Sequence, residues 1–338
     1  MTLMMIANLS ILLLMEWTLF GGLSLLLVLV GALILLAFCT VISVTRPTRR
    51  TKHMLAASAL SDIPVEDITF ASAHGKHQVH GQYMPCSGTA TTVLVCSGYR
   101  RSMQTIPGIA HQLWQAGHNV LLFEYYGHGQ ITGTRVTLGH GEVQDFLGAV
   151  AYAKSRAPQT RLGALGYSMG AAVTIMGCAQ TDEVEALVLD SAFATQWSAI
   201  EMRIRQTLHL PTRFPRILLW MLYGITDLLL KIRMGYRLHE VEPIRAIASL
   251  APRPIFIIHG LNDTVVPPQD AYLLYEAAQS PKALWVLPGT KHIRAYYADR
   301  VTYTERVIQF FQQHIVTADA AQPSMCETHQ QAEKECVV

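Results

Sequence analysis

Residues 162–172 read LGALGYSMGAA, which places Ser168 between Gly166 and Gly170, after a short apolar run and before a run of small residues. The apolar run predicts a buried strand, and the small residues predict a helix packed closely against it. A sharp turn from strand to helix at Ser168 requires glycine on both sides, because larger side chains would collide there. Such a turn lifts the serine hydroxyl out of the sheet and directs the backbone N–H of Met169 to where an oxyanion would form. The pattern therefore predicts a nucleophile elbow.

Two later segments carry groups that can activate a serine. A serine hydroxyl is a poor nucleophile unless a base takes its proton and a third group orients that base. Residues 254–263, PIFIIHGLND, read as a buried strand that ends in a glycine turn and delivers Asp263. Residues 283–292, ALWVLPGTKH, repeat this pattern and deliver His292. Because parallel strands end at one edge of a sheet, we predict that Ser168, Asp263 and His292 meet there as nucleophile, acid and base.

From about residue 62 to residue 314 the chain resembles the α/β-hydrolase superfamily, nearest to its lysophospholipase-like and prolyl-oligopeptidase-like esterase branch. The serine–acid–histidine order along the chain is that of the superfamily. Residues 123–129, FEYYGHG, are similar to the family's strand that ends in an acidic residue and a G-H-G turn, and residues 187–191, LVLDS, are similar to the strand after the elbow helix. The resemblance implies a mostly parallel central sheet flanked by helices, with a helical cap.

The resemblance leaves two assignments open. The family usually has His-Gly after its first central strand, whereas residues 95–99 read VCSGY. Since the family's oxyanion donor there is a backbone N–H, the resemblance assigns Tyr99 as the second donor beside Met169. Asp190 remains a rival of Asp263, because in some members of the fold a carboxylate after the preceding strand reaches the histidine.

The histidines near residue 77 do not predict a metal site. His74, His77 and His80 lie close together in sequence, but residues 68–80 read as a β-hairpin with its turn near Gly75. Strand alternation sends His77 and His80 to opposite faces of such a hairpin. The chain has no phosphate-binding loop, and no dinucleotide fingerprint follows a strand. We therefore expect neither a metal nor an organic cofactor.

The N-terminus is the most apolar part of a 338-residue chain in which 51% of the residues are hydrophobic. No charged residue occurs from Trp17 to Val44, and about 20 apolar residues suffice to cross a bilayer. We predict a transmembrane helix at about 17–44 within a membrane anchor at 1–45. A signal peptide is disfavoured, because no basic residue precedes this long run. Residues 1–15 extend the anchor, form a second short span, or reflect an upstream start codon.

The charges that flank this run predict its orientation. Arg46, Arg49, Arg50 and Lys52 follow the run, whereas only Glu16 precedes it. Basic flanks stay on the cytoplasmic side, so we predict a single-pass membrane protein with a cytoplasmic catalytic domain. The six cysteines show no disulfide framework, which agrees with that compartment.

The remaining sequence divides by composition. Residues 46–61 read as a polar linker, residues 62–316 as the α/β-hydrolase domain, and residues 317–338, which lack an apolar face, as a disordered tail. About 60 residues separate the strand ending at Asp190 from the next predicted strand, far more than one crossover needs. We therefore expect a cap at about 194–250.

One segment of the expected cap, residues 214–233, is apolar nearly all round. It reads as a lid that packs one face on the core, as a lid that lines an acyl pocket, or as a helix on the membrane surface with basic residues at the headgroups. The net charge of +2 carries no information about nucleic-acid binding, but the sequence shows no basic stripe with interleaved aromatic residues, so we expect no nucleic-acid partner.

These features predict a membrane-anchored serine hydrolase that cleaves ester or thioester bonds of lipid-like or acylated substrates through an acyl-enzyme. Two alternatives remain: a serine peptidase of the prolyl-oligopeptidase type, and a catalytically inert, membrane-tethered binding module on the same fold. The expected partners are a lipid-like ester substrate and the membrane.

Overall fold

The computed structural model describes residues 2–47, 63–100, 107–128, 135–211 and 213–315, with side chains from Phe20 onwards. The predicted linker lies outside the described residues apart from its first two positions, and the predicted tail at 317–338 lies wholly outside them.

Strands and helices alternate through the part of the chain that the structure describes. The strands are β1 Glu66–Ala71, β2 Gln78–Met84, β3 Thr91–Cys96, β4 Asn119–Glu124, β5 Arg161–Tyr167, β6 Val184–Asp190, β7 Ile255–Gly260 and β8 Lys282–Leu287. The helices are α1 Thr2–Thr45, α2 Pro107–Gln115, α3 Glu142–Arg156, α4 Met169–Cys178, α5 Gln196–Thr207, α6 Arg216–Met234, α7 Pro243–Ala246, α8 Pro268–Ala277, α9 Ala295–Ala298 and α10 Arg300–His314.

All eight strands form one sheet in the order β1-β2-β4-β3-β5-β6-β7-β8. The pairs β1–β2 and β2–β4 are antiparallel, and every pair from β4 to β8 is parallel. The central strands are buried along their whole length, because their apolar runs are covered on both faces by helices. This mostly parallel, helix-flanked sheet confirms the predicted fold class.

The β1–β2 hairpin lies where the sequence indicates it, and Gly75 in its turn has a φ of +70°. The histidines of this region have other partners than a metal: His74 Nδ1 is 2.9 Å from the Ser72 hydroxyl, and His77 Nε2 is 2.5 Å from a carboxylate oxygen of Asp145. Within the described ranges no three His, Cys, Asp or Glu side chains gather as metal ligands would.

Helix α1 is unbroken from Thr2 to Thr45, so residues 2–15 continue the helix that carries the predicted span. Its Phe20–Thr45 portion is apolar and long enough to cross a membrane, and a signal sequence near an N-terminus would share both properties.

The described residues fall into two compact units. One consists of residues up to Ser43 together with Pro211–Arg237, and the other begins at Val44 and contains the sheet. Of the helices within the expected cap at 194–250, α5 and α7 belong to the unit with the sheet, and α6 belongs to the unit with α1. Helix α6 buries one face and exposes apolar side chains on another.

Among the cysteines of the described residues, Cys86 is disulfide-bonded, while Cys39, Cys96 and Cys178 are free. One such bond is not a disulfide framework of the kind that small secreted domains carry.

Candidate active site

The elbow at Ser168 depends on three close backbone approaches. Ser168 connects β5 to α4 with φ 53° and ψ −118°, and its backbone N–H donates to the Asp190 carbonyl at 2.8 Å. A Cβ on Gly166 would lie 2.5 Å from Ala171 Cα, and a Cβ on Gly170 would lie 2.4 Å from the Cys96 carbonyl oxygen. Both glycines of the sequence pattern are therefore required by packing, since no Cβ fits at those distances.

The structure brings Ser168, His292 and Asp263 into one hydrogen-bonded chain. His292 Nε2 is 2.9 Å from Ser168 Oγ, and His292 Nδ1 is 2.6 Å from Asp263 Oδ2. A carboxylate only accepts, so Nδ1 carries the proton and Nε2 is left to accept from the serine hydroxyl. The Asp263 side chain is fully buried, whereas that of His292 is 15% exposed. The arrangement can move a proton from Ser168 to His292 beside a fixed negative charge.

Backbone hydrogen bonds join the loop that carries Asp263 to the loop that carries His292. Leu261 N donates to Leu287 O, and Asn262 N donates to Thr290 O, both at 2.9 Å. A Cβ on Gly260 would lie 2.3 Å from the Thr290 carbonyl oxygen. Only glycine at this position lets the two loops approach so closely, which places the acid and the base in register.

Asp263 is saturated with hydrogen bonds. Its Oδ1 accepts from Val265 N at 2.7 Å and from Val266 N at 2.9 Å, while its Oδ2 faces His292 at 2.6 Å and His259 Nε2 at 3.2 Å. Burial alone would raise the pKa of this carboxyl, but the hydrogen bonds from His259, His292 and Val266 lower it well below its usual range. The group therefore carries a negative charge throughout the neutral range.

His259 is a functional residue that sequence reasoning missed, because its place at the end of an apolar strand indicates only a turn-organising role. It is fully buried at the end of β7, and its Nε2 lies near Asp263 Oδ2 and 3.4 Å from Val266 O. It holds the carboxylate oxygen that also contacts His292. The four-residue spacing from His259 to Asp263 across the Gly260 turn is compatible with this contact but does not by itself predict it.

Asp190, the rival acid, is engaged elsewhere. Its carboxylate accepts from the Ser191 hydroxyl at 2.9 Å and from the Tyr303 hydroxyl at 3.0 Å, and Ser191 Oγ accepts from Ile293 N at 3.2 Å. Burial raises the pKa of Asp190 to about 6, although the bonds from Ser191 and Tyr303 oppose the rise. The carboxylate that His292 hydrogen-bonds is that of Asp263, and Asp190 supports the residue that follows His292.

The two expected oxyanion donors lie at the ends of adjacent parallel strands. Met169 is the first residue of α4, where backbone N–H groups lack partners within the helix and the helix dipole favours negative charge. Tyr99 lies in the turn after β3, which pairs with β5. The close approach of Gly170 to the carbonyls of Cys96 and Ser97 holds this turn against the start of α4.

The end of α1 is bound to the same turn. The Tyr99 hydroxyl donates to Val44 O at 2.9 Å, and Arg100 Nη2 donates to Arg46 O at 3.4 Å. In addition, Val136 N donates to Thr45 O at 3.1 Å. No sequence pattern indicated these contacts, since they join residues more than 50 positions apart.

Comparisons with known proteins bear on the family to which this fold belongs. The family described as serine aminopeptidase S33 (Hydrolase_4) matches residues 88–230. The uncharacterized protein YfhR of Salmonella typhi is 30% identical over 269 residues, which cover 73% of this chain and 81% of YfhR. The uncharacterized protein YqkD of Bacillus subtilis is 29% identical over 242 residues, 71% of this chain and 76% of YqkD.

Among solved structures, the Pyrococcus furiosus esterase Pf2001 superposes with a TM-score of 0.64 at 22% identity, covering 80% of this chain and 99% of the esterase. At that identity the likeness concerns the fold. The sheet topology, the serine elbow with its acid and base loops, and the match to YfhR lead to one conclusion: this chain belongs to the α/β-hydrolase superfamily.

Proposed function

We propose that this protein is a membrane-anchored serine hydrolase that cleaves ester or thioester bonds of lipid-like or acylated substrates through Ser168, His292 and Asp263. The observation that carries the proposal is the hydrogen-bonded chain from Ser168 Oγ through His292 to Asp263 Oδ2. The structural similarity to a protein described as an esterase supports the reaction class.

The reaction begins when His292 Nε2 takes the Ser168 proton and Ser168 Oγ attacks the substrate carbonyl carbon. Asp263 stabilises the imidazolium that forms, and the N–H groups of Met169 and Tyr99 receive the oxyanion. The tetrahedral intermediate collapses as His292 returns the proton to the departing alkoxide or thiolate, which leaves an acyl-enzyme. Water then gives its proton to His292, attacks the acyl carbon and releases the acid, and the proton returns to Ser168.

The preference for lipid-like substrates rests on the apolar helix α1. Its Phe20–Thr45 portion fits a membrane span, and its last residues bind the turn that carries Tyr99. An enzyme held this way works at a membrane surface, where acylated molecules concentrate.

A fluorophosphonate probe tests the activated serine. Membranes with the wild-type chain should be labelled covalently, and Ser168→Ala should abolish labelling. The matched control is Ser155→Ala, because Ser155 is an exposed serine whose hydroxyl donates to Tyr152 O within α3, away from His292. A folded wild-type protein that resists the probe would support the inert binding module instead.

A substrate panel separates the reaction classes. We expect hydrolysis of long-chain esters or thioesters to exceed that of short water-soluble esters. The described family name, serine aminopeptidase, favours a peptidase as the second candidate. Cleavage of aminoacyl amides together with inactivity on every ester and thioester would establish that candidate and refute ours.

We further propose that the catalytic unit faces the cytoplasm, on the evidence of the basic residues after α1. The test applies protease to cells whose outer layers are permeabilised but whose cytoplasmic membrane is intact. The catalytic unit should stay uncut until that membrane is lysed. Digestion before lysis would place the unit on the opposite side of the membrane and refute this orientation.

A further inference from the structure

Helix α6 presents an exposed apolar stripe that nothing in the proposed chemistry uses. The stripe consists of Ile217, Trp220, Leu228 and Ile232, of which Trp220 is 72% and Ile232 74% exposed. Their spacings of three, eight and four residues place them on one side of the helix, because eight residues are two steps of four. Soluble surfaces expose apolar residues singly, whereas a continuous stripe marks an interaction surface.

The opposite side of α6 is already occupied. Leu219, Leu222, Thr226 and Leu230 are buried, and they recur at the same helical spacing half a turn away from the stripe. One face of the helix is therefore buried, and the other faces outwards. The outer stripe is therefore separate from the face that contributes to the core, since that face is already buried.

The charges around the stripe are of one sign. Arg213 and Arg216 at one end, and Lys231 and Arg233 at the other, are all exposed. The one carboxylate of the helix, Asp227, is buried and lies 2.6 Å from Arg237. An apolar stripe bounded at both ends by cations is complementary to the acyl chains and anionic headgroups of a lipid leaflet.

The unit that contains α6 strengthens this assignment. Its other helix is α1, which exposes Phe20, Leu23 and further large apolar side chains along a membrane-span candidate. Because both helices of this unit expose large apolar side chains, a lipid bilayer is the surrounding that would favour both surfaces at once.

We propose that the outer stripe of α6 lies in the membrane interface, with Trp220 among the upper acyl chains and the four basic residues at anionic headgroups. The chain then contacts the bilayer twice, through the span of α1 and through a helix lying in the surface. This inference does not depend on the proposed catalysis, and it can be tested on the Ser168→Ala protein.

The test uses the full chain in nanodiscs that contain lipids brominated in the upper acyl chain. The Trp220 signal is isolated as the difference between the wild type and Trp220→Phe. We expect this signal to be quenched at least about two-fold, because a surface helix buries its apolar face about 5–10 Å deep. The control is the Trp114 signal, isolated with Trp114→Phe, which should change little because Trp114 is buried in the unit with the sheet.

A double variant, Arg216→Glu with Lys231→Glu, tests the headgroup contacts. Quenching of Trp220 in anionic nanodiscs should fall towards its value in zwitterionic ones, while circular dichroism shows the fold intact. A Trp220 signal that bromine does not quench would overturn the proposal. So would loss of a dimer in the Trp220→Ser protein without quenching in the wild type, since the stripe would then contact a second copy.

Discussion

The closest backbone approach at the elbow gives a quantitative prediction for Gly170→Ala. A Cβ at Gly170 would lie 2.4 Å from the Cys96 carbonyl oxygen and 2.5 Å from that of Ser97, whereas real Cβ atoms essentially never come closer than 3.0 Å. The turn after β3 must therefore retreat by about 0.6 Å, which is the difference between these distances. Tyr99, the proposed oxyanion donor, lies in that turn and moves with it.

The expected loss of activity follows from this displacement. A misplacement of about 1 Å in a catalytic group lowers the rate by about 100-fold. A shift of about 0.6 Å should then lower kcat/KM by about 10- to 100-fold, which corresponds to about 1.4–2.7 kcal/mol of transition-state stabilisation. The free energy of unfolding should change less than the activation free energy. Overpacking lowers it by about 1–3 kcal/mol, but alanine in place of glycine within a helix raises it by about 1 kcal/mol.

Two further glycines serve as controls for this prediction. A Cβ on Gly177, at the other end of α4, would lie 2.3 Å from Phe146 Cδ1, so Gly177→Ala disturbs the same helix against a side chain and away from Ser168. Gly224 in α6 has no atom within 4 Å of its Cβ position, so Gly224→Ala changes only backbone propensity.

The assay is the second-order rate of fluorophosphonate labelling in detergent or nanodiscs, with thermal unfolding followed in parallel. Only Gly170→Ala should label slowly at temperatures where all three variants remain folded. If Gly170→Ala labelled within two-fold of wild type, the close approach would not position the oxyanion donors. If Gly177→Ala lost as much activity, the effect would belong to the helix as a whole.

Three other predictions concern the residues around the proposed triad. His259→Phe should lower kcat about 10-fold with little change in KM, because it removes one hydrogen bond to a charged carboxylate, and His259→Gln, which keeps an N–H donor, should recover most of the loss in steady-state kinetics. Asp190→Asn should change the pH dependence of stability. Burial raises the pKa of Asp190 from its ordinary value of 3.8 to about 6. Ionising this carboxyl therefore destabilises the folded state, and the cost is absent below pH 3.8 and complete above pH 6. Denaturant melts should therefore show the variant gaining up to about 3 kcal/mol on the wild type between pH 4 and pH 7, and parallel curves would contradict this sign. Tyr99→Phe should slow probe labelling about five-fold by removing one hydrogen bond of about 1 kcal/mol to Val44, and an unchanged rate would show that the end of α1 does not position the turn.

The parts of the fold that the sequence predicted are those with local causes. An apolar run followed by glycine and a polar residue predicts a buried strand that ends at a loop, and β5 and β7 follow this rule. Strand β8 ends at a loop as predicted but is only partly buried, because it lies at the edge of the sheet. The elbow could be predicted from the sequence because its two glycines are required by close contacts. Gly166 approaches a residue only five positions away, and Gly170 approaches the end of the adjacent strand β3. The three residues named for the triad were identified by the same logic, since each follows one of these strands.

What the sequence did not predict depends on contacts between distant segments. The pairing of His259 with Asp263 required knowing that both side chains turn to the same side of a buried loop. The link from Asp190 through Ser191 to Ile293 joins residues about 100 positions apart, and no periodicity encodes it. The grouping of α6 with α1 was equally hidden, because a helix that is apolar nearly all round does not indicate which face is buried.

The contacts at the end of α1 change how the anchor is understood. A flexible tether would place the enzyme near a membrane and leave the catalytic loops unaffected. Here Val44 and Thr45 belong to the same compact unit as the sheet, and their carbonyls accept hydrogen bonds from Tyr99 and Val136. The last turn of α1 has few partners of its own for these carbonyls, as at any helix C-terminus, so the catalytic unit supplies them. The geometry of the turn that carries Tyr99 and the position of the last residues of α1 are therefore coupled.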